Sequence, residues 1–131
     1  MQKIKIQDVH HIAIICSDYE RSRDFYVRIL GFDILQEVYR KQRQSYKLDL
    51  KVSKTCFIEL FSFPNNPSRK SYPEACGLRH IAFRLLNMDE FIEYLTSQNI
   101  QVEEVQIDKN TGKRYTFFHD PDGLPLELYE A

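Results

Sequence analysis

HIAII at residues 11–15 returns as HIAFR at residues 80–84, and the reading of this pair decides the fold. Each stretch is short, apolar and partly β-branched, so each reads as the core of a buried strand, over residues 9–16 and 78–85. A helix signal follows both. Ser17 or Asp18 offers an N-cap to YERSRDFYVRIL, with Phe25, Ile29 and Leu30 on one face and Gly31 as the stop. Asn87, with Glu90 three residues later, resembles a capping box opening MDEFIEYLTSQ, whose inward residues are Phe91, Tyr94 and Leu95. A shift of 69 residues superposes the two strand starts, and also brings Asp18 onto Asn87 and Phe25 onto Tyr94. Three strand candidates follow each helix, at 32–39, 46–52 and 55–63, then at 102–107, 113–119 and 124–129. DKNTGK and DPDG supply turns between the last three. The stretch PNNPSRKSYPEACG at 64–77 carries three prolines and reads as a surface loop. The pattern predicts an α+β chain, a single domain over 1–131, made of two duplicated βαβββ modules at about 7–63 and 77–131 with a loop at 64–76.

Composition narrows the function classes. The chain has 131 residues, enough for one domain with a real core, and a formal net charge of −1. That balance gives no broad basic field for nucleic acid or an anionic membrane. No apolar run approaches a membrane span, and MQKIKIQDV lacks the apolar stretch and cleavage site of a signal peptide. Cys16, Cys56 and Cys76 are odd in number and form no CxxC, which suits reduced thiols in a cytoplasmic protein. Nine Phe and eight Tyr, with no Trp, fit a thick sheet core or a pocket for an organic ligand.

The repeat also superposes polar residues inside apolar strands. His11 matches His80, and Glu59 in CFIELFSF matches Glu127 in LPLELYE, with His-to-Glu separations of 48 and 47 residues. A carboxylate within an apolar strand is costly to bury without a partner. Alternation along a strand puts Phe57, Phe61 and Phe63 on the side of Glu59, with Ile58 and Leu60 against the helix. His11 shares its side with Ala13 and Ile15, and His80 with Ala82 and Arg84. The small alanines leave room beside each imidazole. Two sheets facing one another would gather the four side chains in a mostly apolar hollow. Imidazole and carboxylate donors suit one divalent cation, Zn, Ni or Co first and Mn or Fe as alternatives, with positions left for water or substrate. A lone strand histidine is more often a hydrogen-bonded core or rim residue, and a lone terminal glutamate is usually solvated; the fourfold coincidence is what favours ligation. His10 reads as structural, pointing to the opposite face, and His119 as a rim residue before DPDG.

At this point HHIAIICSDYERSRDFYVRILGF, FIELF, GLRHIAF and HDPDGLPLELYE together resemble the glyoxalase I family of the vicinal oxygen chelate superfamily. ELFSFP, EACGLRH and DPDGLPLELYE are similar to small bacterial glyoxalase-like proteins of the YaeR type. The resemblance implies paired βαβββ modules forming a cup-shaped mixed sheet around one divalent metal held by His11, Glu59, His80 and Glu127. It implies a small-molecule substrate and a homodimer, in which the site forms within one chain or across two. For glyoxalase I that substrate is the hemithioacetal of methylglyoxal and glutathione, converted through a metal-bound enediolate to S-lactoylglutathione. Glu127 is then the principal base, with Glu59 as its counterpart on the opposite side. The chain departs from the glutathione pattern: Ile15 stands where an arginine is usual and Phe63 where an asparagine is common. Arg84, Lys47, Arg114 and Tyr115, with Arg43, Phe61 and Phe63, are the candidate substrate contacts. An acyl-CoA epimerase and an extradiol dioxygenase are alternatives on the same scaffold, the latter disfavoured by Glu59 as a fourth ligand. A metal-free binding module is the alternative outside enzymes.

Overall fold

Strand β1 (His11–Cys16) leads into helix α1 (Tyr19–Asp24), then β2 (Asp33–Arg40), β3 (Ser45–Lys51) and β4 (Phe57–Ser62). The structure is a computed structural model and describes residues 3–131. These first strands form a four-stranded sheet in the order β1-β4-β3-β2. β1 runs parallel to β4, and the other neighbours are antiparallel. This unit ends at Asn66, and a second begins at Pro67. There β5 (Ile81–Leu85), α2 (Met88–Ser97), β6 (Gln106–Ile107), β7 (Arg114–His119) and β8 (Pro125–Glu130) repeat the plan in the order β5-β8-β7-β6. Again the first and last strands are parallel and the rest antiparallel. Each unit is βαβββ, an α+β arrangement of one helix on a mixed four-stranded sheet, as the repeat predicts. No helix among the described residues is long and apolar enough to cross a membrane.

The core of each unit lies between helix and sheet. In the first, Ile14, Cys16, Leu48, Leu50, Ile58 and Leu60 alternate inward from three strands and are buried. In the second, Ile81, Thr116, Phe118, Leu126 and Leu128 do the same, with Met88 and Leu95 from α2. Each fully buried large aliphatic contributes roughly 1.5–3 kcal/mol relative to an exposed one. The opposite face of each sheet carries His11, Lys47 and Glu59 in the first unit and His80, Arg84, Tyr115 and Glu127 in the second.

The elements depart from the sequence reading in instructive ways. Asp18 is the N-cap of α1, its carboxylate accepting from the Arg21 N–H at 3.2 Å. The helix then widens into a π-helical stretch over Phe25–Ile29, with the Leu30 N–H donating to the Phe25 carbonyl at 2.9 Å. The wider turn buries Tyr26 beside Phe25 and Ile29 and leaves Leu30 half-buried, which a regular 3.6-residue period does not anticipate. Gly31, at φ +76°, closes the segment in the left-handed region that glycine reaches without strain. Asn87 is the N-cap of α2, as expected, but its side chain makes no cap bond; in the same first turn Asp89 pairs with Arg114. Tyr94 is 37% exposed, while Met88 is fully buried in the core. The strand expected over 102–107 shrinks to Gln106–Ile107, because this edge carries Glu103, Glu104 and other exposed residues with little to bury. Leu78 and Arg79 lie outside β5; their carbonyls accept from the Arg69 guanidinium at 2.6 and 3.1 Å.

Candidate metal centre

The parallel register of β1 and β4 sets Ala13 opposite Glu59. His11, two residues earlier, therefore stands on the same face, and Ala13 is too small to separate imidazole from carboxylate. His11 Nε2 lies 3.4 Å from Glu59 Oε2. The second unit reproduces the arrangement: Ala82 is opposite Glu127, and His80 Nε2 lies 3.1 Å from Glu127 Oε1. One local geometry is thus built twice, by the same three residue types at the same register.

The donors and their spacing fit a divalent cation. Ligand atoms about 2.1 Å from a metal and roughly 90–110° apart lie roughly 3.0–3.4 Å from one another, which is the spacing of both pairs. Among the described residues no group of three or more His, Cys, Asp or Glu side chains forms a metal-ligand cluster; each unit offers a pair. The pair recurs on the matching face of each unit, imidazole beside carboxylate across an alanine.

The two pairs differ in their surroundings. Across from Glu59 on β3 is Asp49, whose two oxygens lie 3.1 and 3.3 Å from the Lys47 ammonium. Across from Glu127 on β7 is Phe117, which also meets the His80 ring edge-on at 5.2 Å. The Glu127 side chain is 13% exposed against 21% for Glu59. Glu127 therefore sits in the drier, more apolar setting. The outer nitrogens differ as well. His11 Nδ1 is 2.9 Å from Nδ1 of His10, whose ring packs against Phe57 at 5.2 Å. His10 thus lies alongside His11 and not on the far face, because it precedes β1 and escapes strand alternation. An Arg79 N–H donates to His80 Nδ1 at 3.4 Å.

The other candidates divide by face. Phe61 shares the side of Glu59, and Phe63 stacks on it at 5.9 Å. Lys47, opposite Phe61, is on this face but committed to Asp49. Arg84 is exposed, on the side of His80 and Ala82, and Tyr115 meets Phe117 at 6.3 Å on the same face. Arg114 does not belong with them. Its parity places it on the helix side, where its guanidinium grips Asp89 at 2.9 Å and Glu130 at 3.0 Å, and those two carboxylates hold it strongly protonated. His119, His80 and Phe117 line a cavity of about 340 Å³ whose other wall is the loop from Arg69 to Arg79. Asp49 was not anticipated as a neighbour of Glu59; the only hint is its place inside the alternating SYKLDLK.

Comparison with known proteins gives these observations a family. Residues 8–128 match the model of the Glyoxalase/Bleomycin resistance protein/Dioxygenase superfamily. YwkD of Bacillus subtilis (strain 168) is 55% identical over 95% of this chain and 98% of its own. YaeR of Escherichia coli (strain K12) is 54% identical over 95% and 97%. A crystal structure of a glyoxalase family protein from Enterococcus faecalis superposes with a TM-score of 0.87 at 47% identity, covering 95% of this chain and 98% of that one. With its doubled βαβββ plan and its paired histidines and glutamates, the chain belongs to the glyoxalase/bleomycin resistance protein/dioxygenase superfamily.

Proposed function

We propose that the protein is a divalent-metal-dependent lyase or isomerase of glyoxalase type, moving a proton between adjacent carbons of an α-oxo thiol adduct. The observation that carries this reading is the duplicated His–Glu pair, at 3.4 Å in one unit and 3.1 Å in the other. His11, Glu59, His80 and Glu127 are proposed to hold one Zn, Ni or Co ion. When bound, such an ion supplies Lewis acidity that stabilises the negative charge developing on substrate oxygen.

The remaining work belongs to the chain. Glu127 accepts the proton from the carbon beside the carbonyl and returns it to the neighbouring carbon, so the net change is an isomerisation with no redox partner. Its place opposite Phe117, at 13% exposure, favours that role by keeping bulk water from the proton it moves. Glu59 faces Asp49 and Lys47, a more polar neighbourhood that suits a stationary anionic ligand. Ile15 and Phe63, where glutathione-using relatives carry polar residues, support a thiol other than glutathione.

The test is a screen of hemithioacetals made from methylglyoxal and several low-molecular-weight thiols, with thioester absorbance and loss of α-deuterium as readouts. Metal-dependent turnover, abolished by chelator and by Glu127→Gln, is expected. A metal-loaded protein that neither forms thioester nor exchanges α-deuterium in any adduct would overturn the proposal.

A further inference from the structure

Arg40, at the end of β2, lies opposite Ser45 on the face that also carries Asp49, Lys47 and Glu59. Its guanidinium carbon stands 5.0 Å from the centre of the Phe61 ring and 5.8 Å from that of Phe63. Arg43, in the short turn after β2, stands over the other part of this platform, 4.9 Å from the Phe63 ring centre. Among the described residues neither arginine forms an ion pair. Arg40 donates one N–H to Ser45 Oγ at 3.0 Å, while its Nε is buried with no hydrogen-bond partner. A guanidinium held over an aromatic ring can still donate from its remaining N–H groups to two oxygens of a carboxylate or phosphonate. A buried donor left without a partner calls for an acceptor.

We propose that Arg40 and Arg43, stacked on Phe61 and Phe63, form an oxyanion subsite for a carboxylate or phosphonate at the far end of the substrate. Phe61 is two residues along β4 from Glu59 on the same face, and Phe63, one residue past the strand, is four away. The anion is therefore roughly 7–13 Å along the strand from the Glu59 carboxylate. This assignment rests on the metal-dependent reading for the identity of the other end of the ligand, a head that chelates the cation. It replaces the arginine-and-asparagine pattern of glutathione users with a cationic pair supplied by different elements.

The experiment compares two chelating probes on zinc-loaded protein by calorimetric titration. Adipic acid monohydroxamate carries a carboxylate at about the required reach, and hexanohydroxamate has the same head and a neutral tail. The carboxylate is expected to tighten binding by ~10-fold or more, as charge-assisted bonds to arginine do. In Arg40→Gln/Arg43→Gln that preference is expected to vanish, with zinc affinity and the hexanohydroxamate Kd unchanged. Arg43→Gln alone, at an exposed position that carries no folding risk, is expected to lose part of it. Methylphosphonate titrated into metal-free protein, followed by the arginine Nε–H resonances, reads the subsite without the metal and is expected to saturate more weakly in the variants. Absence of zinc binding would defeat the metal reading while leaving this last titration to decide the subsite. The subsite itself is overturned if adipic acid monohydroxamate and methylphosphonate each bind wild type and the double variant equally.

Discussion

Glu127 and Glu59 hold matching positions in their units, and their neighbours set them apart. Phe117 beside Glu127 and Asp49 beside Glu59 make the first a dry carboxylate and the second a member of a polar cluster. Glu127→Gln is expected to keep the fold and lose turnover by roughly 10²–10⁴-fold, the usual worth of a positioned general base. Glu59→Gln is expected to weaken metal binding more than its catalytic step; equal losses of turnover at fixed metal occupancy would remove the asymmetry. His80→Ala is expected to abolish the rise in Tm that added zinc gives the wild type, leaving the Tm of chelator-treated protein nearly unchanged. An equal fall with and without metal would make His80 a packing residue. The His and Glu candidates were legible in the sequence because each is a polar residue inside an apolar strand and each recurs in the repeat. Asp49 and Arg40 were not. Their nearness to Glu59 and Phe61 depends on cross-strand register, with β3–β4 pairing setting Asp49 against Glu59 and the turn at Gln44 setting Arg40 against Ser45.

At the scale of elements, α1 is fastened to β2 by a small network. Arg23 donates to Glu37 at 2.8 Å, and the Tyr19 hydroxyl donates to the same carboxylate. These bonds hold the Glu37 carboxyl below its ordinary value, Arg23 first and Tyr19 next; burial, then Glu37, pushes the Tyr19 phenol upward. A carboxyl whose folded pKa is depressed contributes stability fully above its unfolded pKa of about 4.3 and loses that contribution as pH falls below it. Glu37→Gln is therefore expected to flatten the acid side of the Tm-versus-pH curve below about pH 5; an unchanged slope would mean the network is not felt in stability. Thiol chemistry reads the same elements differently. Cys16 on β1 is buried and donates to the Phe61 carbonyl at 3.3 Å, whereas Cys76 in the loop is exposed. Iodoacetamide on native protein is expected to modify Cys76 first and Cys16 only on unfolding, as peptide mapping would show. Helix starts were readable where a side chain caps them, as at Asp18. At Asn87 the start is where the sequence places it, but the side-chain bond of a capping box is not made.

For the whole molecule, the doubled βαβββ plan was legible because the period-2 strands and 3.6-period helices come in the same order twice, down to the alanines opposite both glutamates. Strand ends were read less well, since residues such as Val9 and Leu78 are apolar but exposed. Each unit carries its own core, so Leu60→Ala and Leu126→Ala, both at fully buried positions, are each expected to cost about 2–5 kcal/mol in denaturant unfolding. Either substitution costing well under 1 kcal/mol would contradict the packing described. The most direct test of the central claim is metal stoichiometry, by elemental analysis after dialysis against zinc and against nickel. One ion per chain, lost in His11→Ala and equally in His80→Ala, is expected if the two His–Glu pairs serve one cation. Two ions per chain, each lost with only its own histidine, or no ion at all, would contradict it.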